Sequence, residues 1–155
     1  MKYVALVCIL LIGAQNSYSQ DSLKKNIILP IVREVSANNI RFKYYKQLPE
    51  FIRNYLDQMT RTKKFEITKT AQNDSYLASG SKRTLRYALR SKDIYLLGYD
   101  HGGGGHHFHS IIFMTNGGEI TTIYNLIVAN TLLGVDALVE QVEKGWYYIQ
   151  EMKEY

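Results

Sequence analysis

All four histidines of the chain fall within nine residues, in Tyr99-Asp100-His101-Gly102-Gly103-Gly104-Gly105-His106-His107-Phe108-His109-Ser110. Four consecutive glycines between two apolar stretches read as a turn, and the segment as a β-hairpin. With the turn centred between Gly103 and Gly104, antiparallel pairing sets His101 opposite His106, Asp100 opposite His107 and Gly98 opposite His109. Alternation then puts Asp100, His107 and His109 on one face with Leu96 and Ile111, and His101 and His106 on the other with Tyr99 and Phe108. Gly98, lacking a side chain, leaves room beside His109.

Two imidazoles two apart on a strand, plus a carboxylate and open positions, suit a divalent transition metal such as zinc. Asp100, His107 and His109 are therefore the expected metal ligands, and His101 and His106 the expected ligand-binding residues. A histidine pair also serves as general acid and base on a phosphodiester or ester, with basic residues elsewhere holding the anion. The plainest alternative is a glycine-loosened tip with its histidines in solvent. Register decides among these, because a shift of one residue moves every side chain to the opposite face.

Known patterns are matched only in part. His107-Phe108-His109-Ser110-Ile111 resembles the opening of the histidine-triad nucleotide-hydrolase signature, with Ile111 where that family has its third histidine. His107 and His109 also resemble the His-x-His of the cupins, with Phe113 and Met114 in the region of that family's glutamate. The sequence contains no His-Glu-x-x-His, no Gly-Lys-Ser/Thr phosphate loop and no serine flanked as in a nucleophile elbow. No family is assigned.

The elements that must hold this hairpin are legible to different degrees. Ile94–Tyr99 is a continuous apolar run, as in a central strand. Phe108–Met114 is a second strand, and Asn116-Gly117-Gly118 signals a hairpin into a third, from Glu119 to about Val128. The meander thus spans about 94–99, 107–114 and 119–128. From Val135 the spacing turns helical: Val135, Leu138, Val139, Val142, Trp146 and Ile149 predict a long C-terminal helix over about 135–152, with Glu140 and Lys144 as an i,i+4 pair. Toward the N-terminus, Leu23, Ile27, Ile31 and Val35 predict a helix that Pro30 kinks or divides. Ile40, Phe42 and Tyr44 predict a short extended stretch. Pro49-Glu50 opens an amphipathic helix on Phe51, Ile52, Tyr55, Leu56 and Met59 that runs to about Arg61. Phe65 and Ile67 mark a strand, and Gln72–Ser81 a polar loop. Residues 82–90 fit helix and strand equally, and a short helix is preferred. The class is α+β, an antiparallel sheet packed by N-terminal helices and the C-terminal helix over one face. A curved-sheet cone resembling nuclear-transport-factor-like folds is the alternative.

Charge is divided along the chain. Residues 20–92 carry sixteen Lys and Arg against six Asp and Glu, a net of +10, whereas residues 93–155 carry two Lys against eight acids, a net of −6. Arg83, Arg86 and Arg90 would share a helical face and could serve as an anion-binding site; the preferred reading is that the two halves lie against each other and neutralise locally in the fold. Aromatic residues do not interleave with the basic ones, which argues against nucleic acid.

The N-terminus reads as a secretory signal peptide over 1–19: Lys2, an apolar run Tyr3–Ala14, and Ser17-Tyr18-Ser19 before a cleavage point. That run falls short of the ~20 apolar residues needed to span a bilayer. Residues 20–155 form one α+β domain, expected in the periplasm or secreted, and cysteine-free because the single Cys is Cys8. With 46% hydrophobic residues the chain is not intrinsically disordered. These readings point to an exported domain that binds a protein partner or small anionic ligand, with a divalent-metal site on the hairpin. Whether it is an enzyme is left open, leaning against, the alternative being a small secreted hydrolase acting on an anionic substrate.

Overall fold

The computed structural model describes residues 24–59, 65, 67–68, 83–101, 107–128 and 134–150, with backbone only at Thr68 and His101. The expected signal peptide, the Gln72–Ser81 loop, the glycine run and His106 lie outside the described residues.

The fold is α+β. Its elements in chain order are α1 (24–37), β1 (Ile40–Arg41), a 3-10 turn (Tyr45–Gln47), α2 (Glu50–Gln58), β2 (Ile67–Thr68), β3 (Arg83–Ser91), β4 (Ile94–His101), β5 (His107–Asn116), β6 (Glu119–Val128), α3 (Val135–Lys144) and β7 (Tyr148–Gln150). One sheet contains all seven strands, in the order β1-β3-β4-β5-β6-β7 with every neighbour antiparallel; β2 adds a short parallel pairing to β3. The expected meander is β4, β5 and β6, closed at one end by Gly117 and Gly118, both at positive φ.

Helices cover both faces rather than one. Ile28, Val32 and Val35 of α1 and Val135, Leu138 and Val142 of α3 pack on Tyr87, Leu89, Leu96, Phe108, Ile112 and Leu126. Across the sheet, Leu48 and Ile52 and Leu56 of α2 pack on Ala88, Tyr95, Leu97, Ile111 and Phe113. A strand buried on both faces has no polar side to alternate with, which is why β4 reads as an unbroken apolar run. In α1 the buried stripe runs 28/32/35, so Ile27, expected in the core, is exposed, and the helix continues through Pro30.

Two sequence expectations are corrected. Residues 83–91 form a strand, not a helix. A bulge between Leu85 and Tyr87 places Leu85 and Ala88 on the α2 side and Tyr87 and Leu89 on the other, so a spacing of three that mimics a helix arises from one extra strand residue. The C-terminal helix stops at Lys144, because Gly145 turns left-handed at φ 72° and Gly145 N–H and Trp146 N–H close the last turn on the Val142 and Gln141 carbonyls. The chain then doubles back as β7, and Tyr148 and Ile149 pair with Ile127 and Leu126.

Part of the divided charge is paired between the halves among the described residues. Arg33 of α1 pairs with Glu143 of α3, Ser36 donates to Asp136, and Arg86 pairs with Asp100. No helix among the described residues is long and apolar enough to cross a membrane.

Candidate functional site

The hairpin closes one residue away from the expected register. Tyr99 lies opposite His109, Asp100 opposite Phe108 and His101 opposite His107. His107 and His109 therefore stand with Tyr99 on the α2 side, and Asp100 stands with Phe108 on the α1/α3 side. Asp100, His107 and His109 are not brought together. Among the described residues no group of three or more His, Cys, Asp or Glu side chains is placed to hold a metal ion. His101 occupies the position between Arg83 and His107.

His109 is the centre of the α2-side arrangement and is only 6% exposed. Its ring stacks on Tyr99, centroids 5.0 Å apart and planes within 6°, and lies 4.8 Å from the His107 ring. Its Nδ1 is 3.1 Å from Asn125 Oδ1 on β6, and Asn125 Nδ2 donates to Gln150 Oε1 on β7 at 2.9 Å. Because the Asn125 amide N–H is turned to Gln150, the oxygen facing His109 accepts, which puts the imidazole proton on Nδ1 and the lone pair on Nε2. Burial pushes the His109 pKa down to about 4; the Asn125 bond opposes this, and the charges of His107 and Arg83 add to it. The ring is neutral at pH 7.

Arg83 joins this patch from β3. Its guanidinium lies 4.6 Å from the Phe65 ring centre, and it bonds the Tyr99 hydroxyl, whose pKa burial pushes up to about 12. Phe65 meets Tyr99 edge-on at 5.3 Å. The α2-side face thus changes character along the strands, from Phe113, Ile111 and Leu97 beneath α2 to Tyr99, His109, His107, Arg83, Asn125 and Gln150. Tyr148, paired with Ile127 and so in the His109 row, is exposed at the β7 edge.

The three arginines do not form one site. Arg83 belongs to the patch just described. Arg86, the bulge residue, bonds Asp100 Oδ2 through Nε and Nη2. Arg90 lies over the Tyr95 ring at 5.3 Å and donates to the Lys92 carbonyl.

Gly98 makes room, but not for His109. It lies between Tyr87 of β3 and Ser110 of β5, and the Tyr87 ring crosses it to place its hydroxyl 3.0 Å from Ser110 Oγ. A Cβ on Gly98 would sit 2.3 Å from Tyr87 Cζ. The sequence reading missed Tyr99, Asn125 and Gln150 as neighbours of His109. The available signal was the meander itself: buried polar residues such as His109 and Asn125 must find partners, and the next strand over is where to look. No family model, curated protein or solved structure matches the chain.

Proposed function

We propose that this chain is an exported, non-catalytic binding domain that takes a small organic anion at the polar end of the α2-side face of its sheet. One observation carries the reading: a fixed cation, Arg83, and two imidazoles, one buried and neutral, share a single patch at the end of an apolar face. A carboxylate or phosphate there would accept from the Arg83 guanidinium and from His107, while the exposed Tyr148 offers ring surface to the apolar part of the ligand. The charge of Arg83 favours an anion over a divalent cation at the same place. The metal reading keeps only two imidazoles, since Asp100 faces the other way. Acid–base catalysis is less well supported, because a histidine titrating near 4 carries no imidazolium proton to donate at neutral pH and is a weak base there.

The test is NMR of the imidazole resonances while the protein is titrated with benzoate, inorganic phosphate or Zn²⁺ in separate arms. Saturable shifts of His107 and His109 with benzoate or phosphate, weakened about tenfold by Arg83→Gln and unaffected by Asp100→Ala, support the reading. His107→Gln, at a half-buried position, provides a second variant that leaves the Arg83–Tyr99 contact in place. Absence of any saturable shift with either anion overturns the proposal. Stoichiometric shifts of both imidazoles with Zn²⁺ alone overturn it in favour of a two-histidine metal site.

A further inference from the structure

We infer that the edge formed by β1, the 3-10 turn and the end of β3 is a docking surface for an anionic lipid bilayer. Arg41, Lys43, Lys46 and Arg90 are exposed there, and none of the four is paired with a carboxylate among the described residues. Of the nearby acids, Glu34 is engaged by Lys92 and Ser91, and Glu50 and Asp93 make no ion pair with any of the described residues. Elsewhere Arg33, Lys144, Lys92 and Arg86 are paired with Glu143, Glu140, Glu34 and Asp100. Four exposed cations on one edge without an ion-pair partner among the described residues call for an external anion.

The apolar content of the edge chooses which anion. Ile40 and Tyr44, 66% and 44% exposed, are two of the five large hydrophobic side chains left exposed among the described residues. Ile40 lies directly opposite Arg90 in the register, and Lys43 Nζ sits 5.5 Å from the Tyr44 ring centre. An aliphatic and a tyrosine flanked by Lys and Arg suit the boundary between headgroups and acyl chains. A single-stranded nucleic acid would instead need successive rings for its bases, and Phe42 is turned inward, stacked 6.3 Å from Tyr95. The segment is also held in shape before any partner arrives. Gln47 Oε1 accepts from the backbone N–H of Lys43 and Tyr44, and Phe42 N–H donates to the Ala88 carbonyl.

The experiment must report on this edge, because the apolar N-terminal run is also membrane-seeking. The full chain carrying Trp146→Phe and Tyr44→Trp places the only indole at position 44. It is mixed with phosphatidylcholine vesicles, with and without phosphatidylglycerol, and with vesicles bearing a brominated acyl chain. The expected result is a blue shift and bromine quenching that require phosphatidylglycerol and are reversed by salt. Lys43→Gln with Lys46→Gln should weaken this binding about 25-fold, at about fivefold for each cation removed near an anionic surface. Both residues are exposed, and circular dichroism confirms the fold of each variant. An unshifted indole, a shift equally large on pure phosphatidylcholine, or an affinity unchanged by the double substitution overturns the inference. So does tighter binding to random single-stranded DNA than to the anionic vesicles.

Discussion

The buried imidazole of His109 makes a quantitative statement about stability and pH. The fold holds the neutral ring, with a pKa near 4, whereas the same ring in the unfolded chain titrates near its usual 6.5. Between these values the unfolded state binds the proton and the native state does not, so stability is complete above about pH 6.5 and falls as the pH drops toward 4. Going from pH 7 to pH 4 should cost about 3 kcal/mol through this one group, with a slope approaching ~1.4 kcal/mol per pH unit between the two values. The charges facing the ring are Arg83 from β3 and His107 from its own strand, and both oppose its protonation. Urea unfolding followed by circular dichroism from pH 7.5 to 4 measures the loss. The same series on His109→Gln removes the contributions of every other group, including Glu34, whose pKa the Lys92 and Ser91 contacts lower. Wild type should lose about 3 kcal/mol more than the variant over this range. Parallel curves for the two proteins, or an NMR titration of His109 centred near 6.5, would refute the burial and hydrogen bonding assigned to this ring.

Three further outcomes follow from single contacts. Gly98→Ala should cost about 2–3 kcal/mol, because its Cβ would meet three Tyr87 ring carbons at 2.3 to 2.7 Å and the Tyr87–Ser110 hydrogen bond would break. A double-mutant cycle with Tyr87→Leu should show strong coupling, whereas additive costs would mean the ring does not cross this glycine. Gly145→Ala meets no atom within 4 Å but must hold φ 72°, so its urea midpoint should report only a conformational cost of about 1 kcal/mol. Asp100→Asn removes the counter-charge of Arg86 at a site where the carboxylate is 16% and the guanidinium 32% exposed. The expected loss is about 1–2 kcal/mol, reduced by salt, with the His107 and His109 resonances unmoved because they lie on the other face.

Much of the fold was legible, and the parts that were not share a physical cause. The strands of the meander announce themselves by length and apolarity, and α2 by Pro49 at its N-cap and by Ile52 and Leu56 on its buried face. Where a single residue resets the geometry, periodicity misleads. The Arg86 bulge gave β3 the spacing of a helix, and Gly145 ended α3 inside an apparent stripe whose last members part company, Trp146 being exposed and Ile149 the inward residue of β7.

The hairpin register is the most instructive of these, since the whole site hangs on it. The apolar residues of β4 and β5 cannot choose a register, because both faces of both strands are buried and either choice buries them equally. Only polar residues and glycines discriminate. In the observed register Gly98 faces Tyr87 on one side and Ser110 on the other, so that a buried tyrosine hydroxyl finds a buried serine across the one position with no side chain. Shifted by one, Gly98 would face His109, and Ser110 would oppose Leu97. The Tyr87 hydroxyl and Ser110 would each lose a partner inside the core, at about 1–3 kcal/mol apiece. The same shift would part His109 from Tyr99. One glycine at a buried crossing thereby fixes which β4 residue shares a face with His107 and His109, Tyr99 rather than Asp100, and so the chemistry that the four-glycine turn alone leaves undecided.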